Sequence, residues 1–328
     1  LWPAPLRGRA RALGPMDLPA LRALLDEHPV ENVFLNARLD AAGLAPSALG
    51  CRIWGYFRDG RLVAACHAGA NLVLVGDDPD ALDAFVDHLG PRRTSQAIMG
   101  RSTTVAAVHE RLVARWGPAW LGARSIRAHQ PLMAIDRPPA VAGDPRVGVV
   151  ADDRLGPYFD AAVAMYTEEV GASPLDPSNS YAAYVRGLIT TRRAFGAYDP
   201  SGGRFWFKSD IGAVHERVCQ VQGVWVAPDL RGRGLAVPAV ARVVELARRF
   251  HPVVSVRQRL QRRGPRRLRA RRLPAGRRAG DDPVLRPRSL GLQQSPLRRS
   301  IVNRSQPTAA RGSRKPMGLL VTPSTHVM

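Results

Sequence analysis

Apolar and polar positions follow the same order twice along the chain. In the first block, Asp17-Leu18-Pro19 sets an acidic N-cap and an early proline ahead of Leu24 and Leu25, which predicts a helix. Gly55 to Val63 predicts a hairpin turning at Asp59-Gly60, a pair suited to the positive φ of a tight turn. The apolar run Ala70 to Val75 predicts a strand, with helices from Pro79 to His88 and from Thr103 to Trp116. His129 to Ile135 reads as the strand that closes this block, and Pro138, Pro139 and Gly143 mark a linker over residues 137–146.

The second block repeats the order. A strand at Val147 to Ala151 leads to helices from Pro157 to Val170 and from Tyr181 to Arg193. Phe195 to Tyr198, a turn at Pro200 to Gly203 and Phe205 to Val214 predict a hairpin. The strand Val221 to Val226 then meets a Pro-Asp turn, the run Arg231-Gly232-Arg233-Gly234-Leu235-Ala236, and a helix with apolar spacing at Val240, Val243, Val244 and Ala247. Val253 to Val256 predicts a buried strand. A strand, a glycine-rich turn and a helix start form a site for a phosphorylated ligand. The first helical N–H groups lack partners, and glycine lets the backbone approach the anion.

Spacing narrows the ligand. A P-loop needs Lys-Ser/Thr opening the helix, where this chain has Ala236-Val237. The dinucleotide fingerprint starting at Gly232 fails at Val237 and has no acidic residue about twenty positions on. The pattern R/Q-x-x-G-x-G/A fits at Arg231, Gly234 and Ala236, preceded by V-x-V and Pro228. It resembles the pyrophosphate loop of the GNAT acetyltransferases. Together with Thr167 to Gly171 (TEEVG), Phe207 to Val214 (FKSDIGAV) and Cys219 to Val226 (CQVQGVWV), it resembles a bacterial family of tandem GNAT proteins over roughly residues 9–256. The resemblance implies an α/β (α+β) fold of two GNAT-like mixed sheets flanked by helices. It divides the chain into a GNAT-like domain at 1–136, a linker at 137–146, an acetyltransferase domain at 147–256 and a basic tail at 257–328.

What the resemblance implies chemically is acetyl transfer from acetyl-CoA, bound as co-substrate without a metal, to an amine acceptor. Backbone N–H groups of Arg231, Gly232, Arg233, Gly234, Leu235 and Ala236 would hold the pyrophosphate. Those near Val224 and Val226 would pair with the pantetheine arm, one of them facing the thioester oxygen. Glu168 and Glu169, ending the first helix of the second block, are the candidate general bases. Asp210, His215 and Glu216 lie on or beside the hairpin entering the site, and Tyr158, Tyr166 and Tyr181 either line an acceptor pocket or belong to the core. The family's proton-donating tyrosine belongs to a segment after the last strand, and this chain has no Tyr after Tyr198. A sheet ending at Val256 would also leave a bare strand edge and an apolar helix face around Val240 to Leu246.

Charge explains part of that departure. The net charge is +21, but 19 of the 48 basic residues and 2 of the 27 acidic ones lie from Arg257 onward. The preceding residues hold 29 and 25, a balance of +4, so the basic character belongs to the tail. Only Lys208 and Lys315 are lysines, as expected of a GC-rich gene. With GC-rich codons, shifting residues 257–277 by one nucleotide can read V-N-D-F-N-x-x-A-R-x-A-Y-E-R-V-G-F-R-x-V-G, which looks like the missing GNAT ending. A frameshift is therefore the expectation, set against a disordered Arg-rich tail. Such a tail could bind nucleic acid by neutralising phosphates, though residues 257–315 hold no aromatic residue to stack on bases. A GNAT-like regulator that senses acyl-CoA without turnover is the third class.

Three separated cysteines, Cys51, Cys66 and Cys219, exclude a disulfide framework and fit a reducing cytoplasm. No run approaches the roughly 18 apolar residues of a membrane span, and no apolar leader opens the sequence. A cytoplasmic enzyme without a membrane partner is expected.

Overall fold

The computed structural model describes residues 8–257, apart from 124–125, 127–129 and 176. The chain is a mixed α/β protein of two mixed sheets flanked by helices. The first half runs β1 (Arg9–Ala12), α1 (Leu18–Asp26), α2 (Val33–Ala42), α3 (Pro46–Leu49), β2 (Arg52–Arg58), β3 (Arg61–Ala68), β4 (Asn71–Val75), α4 (Pro79–Leu89), β5 (Ala97–Met99), α5 (Ser102–Trp116) and α6 (Pro118–Leu121). Its strands lie side by side in chain order, antiparallel except for the parallel pair β4 and β5. The β2–β3 hairpin turns at Asp59 (φ 51°) and Gly60 (φ 76°), as the sequence predicts.

The chain continues as β6 (Leu132–Ile135), β7 (Gly148–Val149), α7 (Leu155–Val170), α8 (Ser180–Thr190), β8 (Ala194–Asp199), β9 (Arg204–His215), β10 (Val218–Val226), α9 (Ala236–Ala247) and β11 (Val253–Arg257). From β7 to β11 the order of the first half is repeated, with β10 and β11 as the parallel pair. Apolar residues explain the layering. Phe207, Val221, Val254 and Val256 meet Ala239, Val243 and Val244 of α9 on one face. On the other face, Ala194 and Phe205 meet Tyr158 and Ala162 of α7 and Val185, Leu188 and Ile189 of α8.

Strand β6 departs from the sequence reading. The strand expected to close the first half pairs antiparallel with β11 of the second sheet, Ile135 opposite Val254 and Leu132 opposite Arg257. His129, its expected start, lies outside the described residues. The bare edge expected after Val256 is therefore covered, and Ile135 is buried in the second core. The expected apolar face of α9 is likewise inside, with Ala239, Val243, Val244 and Ala247 almost fully buried. Residues 136–146 are tied along α9: the Gly143 N–H donates to Glu245 (3.1 Å), the Asp144 N–H to the Pro238 carbonyl (2.9 Å), and Arg248 to the Asp136 carbonyl (2.9 Å).

The two halves touch through α2. Val33 packs with Ala213 and Val218 of the second sheet, and His215 Nδ1 lies 2.7 Å from Asp40 Oδ2. Because β6 completes the second core, Ile135→Ala should cost about 2–5 kcal/mol, read as a lowered unfolding midpoint. A loss below about 1 kcal/mol would mean that β6 does not complete that core.

Candidate functional site

The parallel contact between β10 and β11 spans only Val218 to Val221 against Val253 to Val256. Beyond it, β10 runs on beside β9 to Val226, while β11 is described only to Arg257, opposite Leu132 of β6, so Gln222 to Val226 have no strand partner on that side among the described residues and form an open cleft edge. A bulge lies at the same place. Gln222 lies opposite Asp210 and Trp225 opposite Lys208, so Gly223 and Val224 on β10 face one residue, Ser209, on β9. Gly223 has φ 59°, which a residue with a side chain rarely adopts. Val224 is exposed and Val226 half-buried at the mouth of the cleft.

From the cleft the chain passes through a turn at Pro228–Leu230 into Arg231 to Leu235 and then α9. Gly232 (φ 77°) and Gly234 (φ 79°) both use the left-handed region, and no atom approaches within 4 Å of a Cβ placed on either. No side chain caps α9, so the N–H groups of its first turn lack side-chain acceptors; Pro238, third in the helix, has no N–H to satisfy. Gly232, Arg233, Gly234 and Ala236 are exposed around this helix start. The loop thus offers an open, electropositive concavity at the end of the cleft.

Arg231 organises the loop. Its Nε donates to the Val226 carbonyl (2.8 Å), and its two Nη groups donate to the two carboxylate oxygens of Glu168 at 2.6 Å each. The Trp225 indole N–H also donates to Glu168 (3.1 Å). The carboxylate raises the pKa of Arg231 through this hydrogen bond. The structure gives Glu168, expected as a base, the position of a bidentate tie between α7 and the loop, with cationic donors on both oxygens. Glu169 is half-buried near Tyr166, whose phenol is shifted upward by burial first and by Glu169 second. Arg233 folds back to the Asp229 carbonyl (3.1 Å).

The remaining expected residues separate. His215 stands at the far end of β10 from the cleft, beside Val218, and Glu216 forms the intervening turn at φ 46°. Tyr158 and Tyr181 are core residues: Tyr158 is fully buried and Tyr181 donates to the Ala162 carbonyl (3.0 Å). Asp210 does reach the bulge, in company that sequence reasoning missed. Lys208 Nζ donates to Asp210 Oδ2 at 2.6 Å, Tyr158 donates to Oδ1, and both side chains of the ion pair are almost fully buried. A signal was available: F-W-F-K-S-D-I places two opposite charges at i and i+2 inside an apolar strand.

The first half differs at the corresponding helix start. Its loop from β4 to α4 is Gly76-Asp77-Asp78-Pro79, and Asp78 Oδ1 already accepts from the Asp80 (3.1 Å) and Ala81 (3.2 Å) N–H groups. A carboxylate of the chain itself fills the helix start, and Asp77 and Asp80 add repulsion to any phosphate. The Cys51–His67 contact (3.1 Å) in this half is not a thiolate pair. Burial raises the Cys51 thiol and lowers His67 to about 4, so both groups stay neutral.

Among the described residues no group of His, Cys, Asp and Glu could hold a metal ion, and no helix is long and apolar enough to cross a membrane. The tail residues from 258 onward, with the expected frameshift and nucleic-acid contacts, lie outside the described residues.

A family model described as a domain of unknown function, DUF4081, matches residues 51–158. No curated protein matches the chain. Among solved structures, the chain is similar to a GCN5-related N-acetyltransferase from Sphaerobacter thermophilus, at 18% identity and a TM-score of 0.45, over 77% of this chain and 87% of that one. It is also similar to a GNAT-family acetyltransferase from Colwellia psychrerythraea, at 11% identity and a TM-score of 0.41, over 76% and 89%. A third similar structure is a tandem GNAT protein from the clavulanic acid biosynthesis pathway, at 12% identity and a TM-score of 0.39, over 76% and 90%.

The neutral state of His67 has a consequence for pH. Its folded pKa, about 4, lies below the ordinary 6.5, so its contribution is complete above pH 6.5 and is lost as pH falls toward 4. The loss should be on the order of 3 kcal/mol at pH 4 or below. Stability measured at pH 7 and pH 4.5 should fall less in His67→Gln than in the parent, whereas equal losses would contradict a buried neutral imidazole.

Proposed function

We propose that this chain is an acetyl-CoA-dependent N-acetyltransferase whose co-substrate binds in the second half alone. The observation that carries the reading is the junction of three features: a strand β10 without a parallel partner after Val221 among the described residues, a bulge at Gly223, and an uncapped helix start behind Arg231 to Ala236. A pyrophosphate fits the N–H groups of the loop and the first turn of α9, with Gly232 and Gly234 keeping side chains out of its way. An extended pantetheine arm fits the cleft beside Val224 and Val226 as a strand would, using β10 backbone that has no partner on that side among the described residues. Gly223 and Val224 lie out of register with β9, so an N–H at the bulge is suited to polarise the thioester carbonyl.

Transfer then requires an amine acceptor that loses a proton as it attacks the acetyl carbon, and a thiolate that gains one. The acceptor approaches from the side of α7 and α8, where Tyr166, Tyr184 and Gln222 are half-buried and Gln222 donates to the Tyr184 hydroxyl (3.0 Å). A second reading, an acyl-CoA-binding regulator without turnover, is favoured by one observation: Glu168, a candidate base, accepts from Arg231 and Trp225.

Acetyl-CoA should raise the unfolding midpoint of the full chain. Gly234→Asp tolerates the left-handed backbone better than most substitutions while adding a carboxylate at the phosphate position, and should weaken acetyl-CoA at least about tenfold, ~1.4 kcal/mol. Unchanged affinity in a calorimetric titration would remove the loop from the site. Release of free thiol with a panel of amines separates the enzyme from the regulator.

A further inference from the structure

Charges buried in a strand between two apolar layers need a reason. Lys208 and Asp210 are 1% and 4% exposed at their side chains, and they bond to each other at 2.6 Å along β9. Asp210 also accepts from the Tyr158 hydroxyl of α7, and the Lys208 ammonium stands 5.4 Å from the centre of the Tyr158 ring. Such a pair is a weak source of stability, because two apolar side chains of similar volume often do as well or better once desolvation is counted.

Its placement suggests another use. Lys208 is the cross-strand partner of Trp225 and Asp210 that of Gln222, so the ion pair straddles the one β9 residue, Ser209, that faces both bulge residues. The pair also touches the bulge itself. A Cβ on Gly223 would lie 2.8 Å from Asp210 Oδ2, 3.0 Å from Lys208 Nζ and 3.3 Å from Met165 Cε. On the same flank, the side chain of Gln222 lies over Gly212 and donates to Tyr184.

We propose that Lys208 and Asp210 are positioning residues of the transfer site, their ion pair selecting which residues of β10 bulge and so aiming the backbone N–H groups of the cleft. The inference rests on the acetyl-CoA reading given above. A one-residue slip of β10 would turn its side chains to the opposite faces of the sheet. An apolar pair at 208 and 210 would accept either register. The ion pair accepts only the one in which a glycine, with no side chain, lies against it, because any side chain carried into that space by a slip would press on two buried charges. The cost of burying the charges is thus offset by a single geometry at Gly223 and Val224.

The test uses the full chain and the double variant Lys208→Met/Asp210→Leu, which replaces the pair by apolar residues of similar size. The unfolding midpoint should stay level or rise. Amide exchange over residues 222–226 without ligand should accelerate at least about tenfold, and acetyl-CoA affinity should fall at least about tenfold. Parental exchange and affinity in the double variant would overturn the inference. If that variant does not fold, isosteric Asp210→Asn carries the test: faster exchange at 222–226 with β8 unchanged is expected, and unchanged exchange at the bulge overturns it. A parent chain that binds no acetyl-CoA would instead overturn the functional reading, and the positioning role with it. Binding by parent and double variant alike overturns only the role of the pair.

Discussion

The short parallel contact between β10 and β11 is the constraint on which the second half depends. Four residue pairs hold the two strands together, and the bulge at Gly223 follows directly on β10. Strand β11 keeps its order by pairing on its other side with β6, which comes from far earlier in the chain. A strand stripped of both neighbours would expose backbone donors and acceptors that water or another chain must satisfy. The cleft can stay open because β6 and β9 satisfy the strands on their outer sides.

Two halves with one order of elements differ in what the helix after the fourth strand carries. In the second half, glycine with positive φ at 232 and 234 clears the approach and no side chain caps α9. In the first, Asp78 occupies the same N-terminal donors and Arg58 pairs with Asp78 (3.0 Å) and Asp80 (2.8 Å). One aspartate at an N-cap gives the first half a closed helix end where the second has an open one. Within the second half, Arg231 and Glu168 tie the loop to α7, while Lys208 and Asp210 lie on the strand beside the one that leads into it.

Much of this was legible in the residues. Strict periodicity and turn residues placed the Asp59-Gly60 hairpin, α4, α5, α7 and the run from β8 to α9 near their observed bounds. The glycine-rich turn was legible as a turn before a helix because Gly232 and Gly234 suit the positive φ that both adopt. Elements with weak local signals were missed: α2, which mixes Asn36, Arg38 and Asp40 among its apolar residues, and the three-residue β5. The partner of β6 was invisible for a different reason. Its apolar residues fit either sheet, and only the long-range pairing of Ile135 with Val254 decides between them. Glu168 looked like a base because a carboxylate at a helix end carries no mark of what it meets. Its partner lies 63 residues away.

The most direct measurement is a crystal structure of the full chain grown with coenzyme A. The pyrophosphate is expected on the N–H groups of residues 232–237 and the pantetheine arm between β10 and β11, with the loop before α4 left empty. Coenzyme A bound at Asp77 to Ala81, or a second half whose β10 and β11 close into a continuous ladder with no ligand between them, would contradict that expectation.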